Sequence, residues 1–271
     1  MTTLRRRLAL LVVRGRRLSM PPTLTALLAA VLAWELVGQV AQVSFFPPIS
    51  AVVVRLVELI AEGSILPNLA GSLRNLAIGF SIASVAGVTI GVLMGLSWRV
   101  EAALDMYVYA LLTTPSLIFA PVFFTIFGLG QEVVIALIVL YSILYVIVGT
   151  MTAIRSAPAP VVEMARSYGA NRWQIFVRIR LPAAIPLLMA AFLVAAPIAV
   201  KGMINGEMFI AVFGLGEIVT RAGGRFDATT VLAVLLIVIV LAFASIEIVR
   251  AVDRRLTGWL PPTARAQSMR R

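Results

Sequence analysis

The densest set of residues able to do chemistry is Glu163-Met164-Ala165-Arg166-Ser167-Tyr168-Gly169-Ala170-Asn171-Arg172-Trp173, continuing through Arg178-Ile179-Arg180-Leu181-Pro182. These types suit recognition rather than bond making, since arginine and tryptophan dominate contacts between proteins. Glu163 can pair with Arg166 at i+3 or favour the start of a helix. Two short helical pieces are read on either side of Gly169, which, lacking a side chain, lets them meet closely. The second, Ala170 to Leu181, lines up Trp173, Phe176 and Val177 on one side with Arg172, Gln174, Arg178 and Arg180 around them. Pro182 and Pro186 restrict the backbone just beyond. Such a segment either lies flat on an anionic membrane surface or offers a ridge to a soluble partner.

Covalent chemistry has little to work with. The chain has no histidine and no cysteine, which excludes disulfides, any zinc or haem site needing those ligands, and the usual histidine-dependent triads. Asp105, Asp227 and Asp253 fall at the ends of apolar runs, so no close aspartate pair suggests an intramembrane hydrolase. No G-x-x-x-x-G-K-[ST] loop is present to cradle phosphates. Among polar groups inside apolar runs, Thr113, Thr114 and Ser116 either line a solute path or hydrogen-bond between helices. Lys201 and Glu207 either guide a charged solute or, for the lysine, snorkel to the headgroups. Glu35 sits about 18 Å along its run at helical rise, near mid-depth, where it either hydrogen-bonds to a neighbour or accepts a proton. Glu247 and Arg250 read as an interfacial pair.

The elements that must position these groups are membrane helices. Of 271 residues, 61% are hydrophobic and 13% charged, about half the charge of a soluble domain, and mean hydropathy is +1.02. The expected fold is all-α and polytopic, with six spans: about Thr23–Val43, Asn68–Trp98, Met106–Phe127, Val133–Ile154, Ala183–Ile204 and Ala228–Val249. An outer amphipathic helix is expected over 49–63, an inner turn at Arg99 and Glu101, and a last outer loop from Phe209 to Asp227. Thr113-Thr114-Pro115-Ser116 and Pro121 make the third span irregular, and Pro186 and Pro197 break the fifth. Gly79, Gly87, Gly91 and Gly95 leave one side of the second span nearly bare, for close helix contact. The net charge of +11 reflects topology rather than nucleic-acid binding. Basic residues crowd an arm (1–22), the loop at 155–182 and a tail (256–271), and so place both termini and that loop in the cytoplasm around a membrane domain at 23–255. Uphill transport would then need an ion gradient acting on this chain alone, or a separate ATPase gripping the loop.

At that loop the chain resembles the permease subunits of bacterial ATP-binding cassette importers. Their signature, Glu-Ala-Ala, three residues, Gly, nine residues, Ile-x-Leu-Pro, is reproduced by Glu163-Met164-Ala165, Gly169 and Ile179-Arg180-Leu181-Pro182, with Met164 for the first alanine. Phe46-Pro47-Pro48, Ser72-Leu73-Arg74, Phe127-Gly128-Leu129-Gly130, Gly214-Leu215-Gly216 and Phe226-Asp227 extend the likeness toward the sulfonate, taurine and nitrate branch. Leu112-Thr113-Thr114-Pro115-Ser116-Leu117 stands where Arg-Pro-x-Pro-Pro-Leu is more usual, and Gly206-Glu207-Met208 where Ala-Glu-Met/Leu is common. The resemblance implies a type I importer permease in the inner membrane that binds no cofactor and leaves ATP to partner subunits. It implies a homodimer with two ATPase subunits and an extracytoplasmic solute-binding protein. It also implies coupling through Glu163, Ala165, Arg166, Gly169, Ala170, Arg172 and Trp173.

Overall fold

The computed structural model describes residues 22–41 and 45–258; the expected basic arm up to residue 21 and the tail beyond residue 258 lie outside the described residues. The helices are, in order, α1 (Pro22–Ala41), α2 (Ile49–Ala61), α3 (Ile65–Leu96), α4 (Trp98–Thr113), α5 (Ala120–Phe127) and α6 (Gln131–Arg155). They continue with α7 (Ala159–Ser167), α8 (Arg172–Ile175), α9 (Leu181–Ile210), α10 (Gly214–Gly224) and α11 (Ala228–Leu256). Among the described residues four helices are long and apolar enough to cross a bilayer: α3, α6, the continuous rod Arg172–Ile210 and α11. A fifth crossing arises if α4 and the segment Ser116–Phe127 count as one broken span, bent by 99°. The remaining expected span corresponds to α1, whose apolar stretch Leu24–Val40 is shorter.

Helix α6 is the centre. It buries Val133, Val134, Leu137, Ile138, Ser142 and Val146, among others, between α3 on one side and α9 on the other. The glycine ladder of α3 makes this possible. A Cβ at Gly79, Gly87 or Gly95 would lie 2.7–2.8 Å from Ile138, Val146 or Ile154, and one at Gly91 would lie 2.6 Å from the Ile147 carbonyl. With no hydrophobic drive between helices in lipid, such close approach supplies dispersion and is what holds the pair. From α9, Gly202 and Gly206 likewise face α6, alongside Ala199, Val200 and Met203. Pro186 and Pro197 do not break α9, contrary to expectation; in a packed bundle neighbouring helices tolerate prolines that would end a soluble helix.

The third expected span is irregular in a definite way. Thr114, restricted by the following proline, is extended at φ −76°, ψ 133°. The chain turns there into a short 3₁₀ segment, Ser116–Phe119, and then α5. Arg99 and Glu101, expected in an inner turn, lie in the first turn of α4, because extended Ser97 alone separates α3 from α4. Glu101 pairs with Arg155 at the end of α6, and Arg155 Nη2 also donates to the Met94 carbonyl at 3.1 Å. One guanidinium thereby ties the end of α3, the start of α4 and the end of α6.

Helix α2 is amphipathic, as its pattern predicts. Val52 and Leu59 are buried against Leu215, Ala233 and Val234, while Arg55 pairs with Glu58 and Glu62 at 3.0 and 3.2 Å and donates to Thr230. Glu35 of α1 binds the first turn of α2. It accepts from the Ser50 amide at 3.0 Å and the Ser50 hydroxyl at 2.7 Å. Its carboxylate thus caps the start of α2, the structural hydrogen bond that was one of the two expected roles.

Candidate functional site

The elbow between α6 and α9 is built from local rules. Pro158 and Pro160 flank the start of α7, where a missing N–H costs nothing. The helix ends at Gly169 with φ +81°. The Gly169 amide donates to Arg166 O at 2.9 Å and the Ala170 amide to Ala165 O at 3.0 Å, the paired closure that a left-handed residue permits. This corrects the sequence reading of Gly169. A Cβ there would meet nothing within 4 Å, so the glycine serves its positive φ and not a close approach of two helices. Ala170 and Asn171 then cross to α8, where Asn171 Oδ1 accepts from the Gln174 amide at 2.8 Å and Gln174 Oε1 accepts from the Asn171 amide at 2.9 Å. This capping box was legible as Asn-x-x-Gln but was not drawn from the sequence.

Beyond α8 the helix does not stop at Pro182. Phe176–Arg180 form one π-helical turn, with the Leu181 amide reaching back to Phe176 O, and the rod runs on to Ile210. A proline in regular α-helix lacks its donor and its ring strikes the carbonyl of the fourth residue before it, here Arg178. The widened turn lies over that carbonyl, which is why the helix survives. Trp173 and Phe176 stack at 5.8 Å as their spacing predicts, and Ile175 is buried.

The expected recognition residues remain on the outside of this elbow. Glu163, Arg166, Gly169, Arg172 and Trp173 are exposed, Ala165 and Ala170 half-buried. Tyr168 is 86% and Trp173 71% exposed. No ion pair joins Glu163 to Arg166 within 4 Å; they share a cavity of about 270 Å³ with Arg155 and Arg180.

The other candidates fall in two places. Thr113, Thr114 and Ser116 share the α4 bend, with Thr113 exposed and the other two half-buried, and both threonine hydroxyls donate to the Ala110 carbonyl. On α9, Lys201 is exposed and Glu207 fully buried. Glu207 Oε2 accepts from the Gly216 amide at 3.1 Å, while Ser72 Oγ and Asn68 Oδ1 of α3 accept from the Leu215 and Gly214 amides, each at 3.1 Å. The start of α10 is therefore clamped by three side chains from two spans. A Cβ at Gly214 would lie 2.3 Å from the Glu207 carboxyl carbon, and one at Gly216 2.4 Å from the Met208 nitrogen. The Gly-Leu-Gly motif exists to let that carboxylate in. Ser72 entered the sequence reading only within a family motif and Asn68 was assigned no role, since nothing local links either to residues so far along the chain. Glu207→Ala should cost about 2 kcal/mol by orphaning a buried amide, seen as a lowered thermal transition in detergent. Glu207→Gln, whose carboxamide oxygen still accepts, should lose less.

Residues 87–258 match the family model described as binding-protein-dependent transport system inner membrane component. The chain is 29% identical to the putative aliphatic sulfonates transport permease protein SsuC of Bacillus subtilis (strain 168), over 83% of each chain. It is 28% identical to the taurine transport system permease protein TauC of Escherichia coli (strain K12), over 79% of this chain and 80% of that one. It is also 28% identical to the formylaminopyrimidine transport permease protein ThiX of Halalkalibacterium halodurans, over 89% and 96% of the two chains. An inward-facing structure of the MetNI methionine ABC transporter shares the fold with a TM-score of 0.62 at 21% identity, over 71% of this chain and 95% of that chain.

Proposed function

The chain belongs to the inner-membrane components of binding-protein-dependent transport systems, the permease subunits of ABC importers, and from that premise we propose that the elbow is the handle by which a separate ATPase works its membrane helices. The subunit is multi-pass and non-catalytic and binds no cofactor; ATP is hydrolysed by separate subunits. The observation that carries the proposal is the unbroken rod from Arg172 to Ile210. Force applied at Arg172 and Trp173 passes into α9 with no flexible joint between, and α9 packs along α6. Rigid-body displacement of the elbow then repositions the bundle. Glu163, Ala165, Arg166, Gly169, Ala170, Arg172 and Trp173 form the gripped surface.

Two copies of this permease flank a path on their symmetry axis, two ATPase subunits grip the two elbows, and an extracytoplasmic binding protein delivers solute near α10. Each copy contributes six spans at 23–255 with α1 as the first, a cytoplasmic basic arm at 1–22 and a cytoplasmic tail at 256–271. Thr113, Thr114 and Ser116 line the path at the bend and Lys201 faces it. Glu207 serves it by holding the outer end together. The solute is a small organic or inorganic anion such as a sulfonate, taurine or nitrate. The names of the SsuC and TauC relatives support that class, as do exposed cations at Lys201 and Arg225 toward the outer side. A thermal-shift screen of the cognate binding protein against sulfonates, nitrate, bicarbonate and pyrimidine precursors tests it, and stabilisation by a pyrimidine alone would overturn the anion.

The electrostatic part of docking has its own test. Arg172→Glu should weaken recovery of the ATPase with the permease, and more so at low ionic strength, where charges at an exposed contact are least screened. The same recovery at every salt concentration would remove charge from the account of docking.

A further inference from the structure

Beside the elbow, against the inner end of α3, lies a cavity of about 740 Å³ whose charge is one-sided. Arg166, Arg172 and Arg180 line it, and no carboxylate does. None of the three has an ion-pair partner within 4 Å among the described residues, whereas Arg155 beside the elbow pairs with Glu101. Glu163 opens on the adjoining smaller cavity, which Arg166 and Arg180 also line, but not on this one. The remaining wall is apolar, formed by Val92 and Leu96 from the last turns of α3 together with Trp173 and Phe176. Leu96 is 43% exposed and ends its helix, so the wall stays apolar up to the mouth of the cavity.

We propose that this cavity binds the head group of an anionic phospholipid from the cytoplasmic leaflet. Three uncompensated guanidiniums at the depth where a span ends match a phosphodiester, which accepts their paired N–H groups. The apolar wall matches the first methylenes of the acyl chains. A free phosphate or nucleotide would satisfy the arginines but leave Val92, Leu96 and Phe176 facing water. A zwitterionic head group would bring its own cation toward three others. Trp173, amphipathic and half outside, is the residue type that settles at a headgroup boundary. Seated there, the lipid bridges α3 and α8, so it steadies the angle at which the elbow is presented. The inference rests on the elbow lying on the cytoplasmic side; the cavity shares Arg166, Arg172 and Trp173 with the proposed gripped surface, while Arg180, Val92 and Leu96 belong to the cavity and not to that surface.

Native mass spectrometry of the full-length permease, released from detergent with phosphatidylglycerol and phosphatidylethanolamine in equal amounts, tests the proposal. The wild type should retain phosphatidylglycerol preferentially. Arg180→Gln should lower that retention about fivefold, the loss of one cation's attraction to an anionic lipid, whereas Arg99→Gln, outside the cavity, should not. Leu96→Trp, which narrows the apolar mouth and spares every arginine, should lower it too; size-exclusion profiles matching the wild type certify both variants as folded. Equal retention of the two lipids by the wild type, unchanged retention in folded Arg180→Gln, or loss of the lipid to excess inorganic phosphate would overturn it. ATPase recovery on the same preparations reads out the docking proposal separately.

Discussion

Gly169→Arg should leave the permease inserted and folded while reducing ATPase recovery and solute-stimulated hydrolysis to background. The two halves of this result have different causes. The membrane body is spared because a Cβ at position 169 meets nothing within 4 Å and Gly169 itself is exposed, away from the buried clusters. The elbow itself is not spared, because an L-residue at φ +81° is disfavoured by about 1–2 kcal/mol. The closure from Gly169 and Ala170 back to Arg166 and Ala165 is then strained, and a long cation stands on the surface to be gripped. Graded variants separate the causes. Gly169→Asn, which tolerates a left-handed backbone, should keep most coupling. Gly169→Ala should lose part, and Gly169→Arg all. Measurements are copy number in the membrane, ATPase co-purification and hydrolysis with loaded binding protein. Full ATPase recovery with Gly169→Arg would rule out the turn as a docking element.

The second large effect is on assembly. Gly91→Leu should cost about 3 kcal/mol or more, at or beyond the usual range of overpacking, because the new Cβ would stand 2.6 Å from the Ile147 carbonyl and from Thr150 Cβ. A flexible side-chain end can swing away from such a contact; backbone of the central helix cannot. To admit the leucine, α3 must withdraw from α6, and the neighbouring contacts of Gly87 with Val146 and Gly95 with Ile154 are lost with it. The expected readout is a lowered transition temperature and an aggregated elution profile in mild detergent. Gly71→Leu on the same helix, where nothing lies within 4 Å, should be neutral or slightly stabilising through better helix propensity. Equal behaviour of the two variants would mean that the ladder is not the contact that holds α3 on α6.

How far each feature was legible follows from the range of the forces behind it. The elbow was readable because its determinants are local: a glycine after one helical run, an Asn-x-x-Gln start, and arginines with an aromatic pair on the next. The meaning of Gly169 was misread for lack of a dihedral angle, since a left-handed cap and a close approach both ask for glycine. The Gly79, Gly87, Gly91 and Gly95 spacing announced a bare helix face but not which helix would use it. The clamp of Glu207, Ser72 and Asn68 on Gly214-Leu215-Gly216 joins α3, α9 and α10, and no periodicity within any one of them encodes that meeting.

The sequence by itself determined that this chain is a helical membrane protein with an importer-permease signature in its basic loop, because hydropathy, charge pattern and motif spacing are properties of composition and order. Tertiary structure alone decided that Pro182 is carried through a π turn into one rod from Arg172 to Ile210, that Glu35 and Glu207 accept from backbone amides, and that three arginines share an acid-free cavity beside α3. Those outcomes depend on which helix lies beside which. In lipid that choice is made by shape and by the pairing of polar groups, which only the packed bundle brings within a few ångströms of one another.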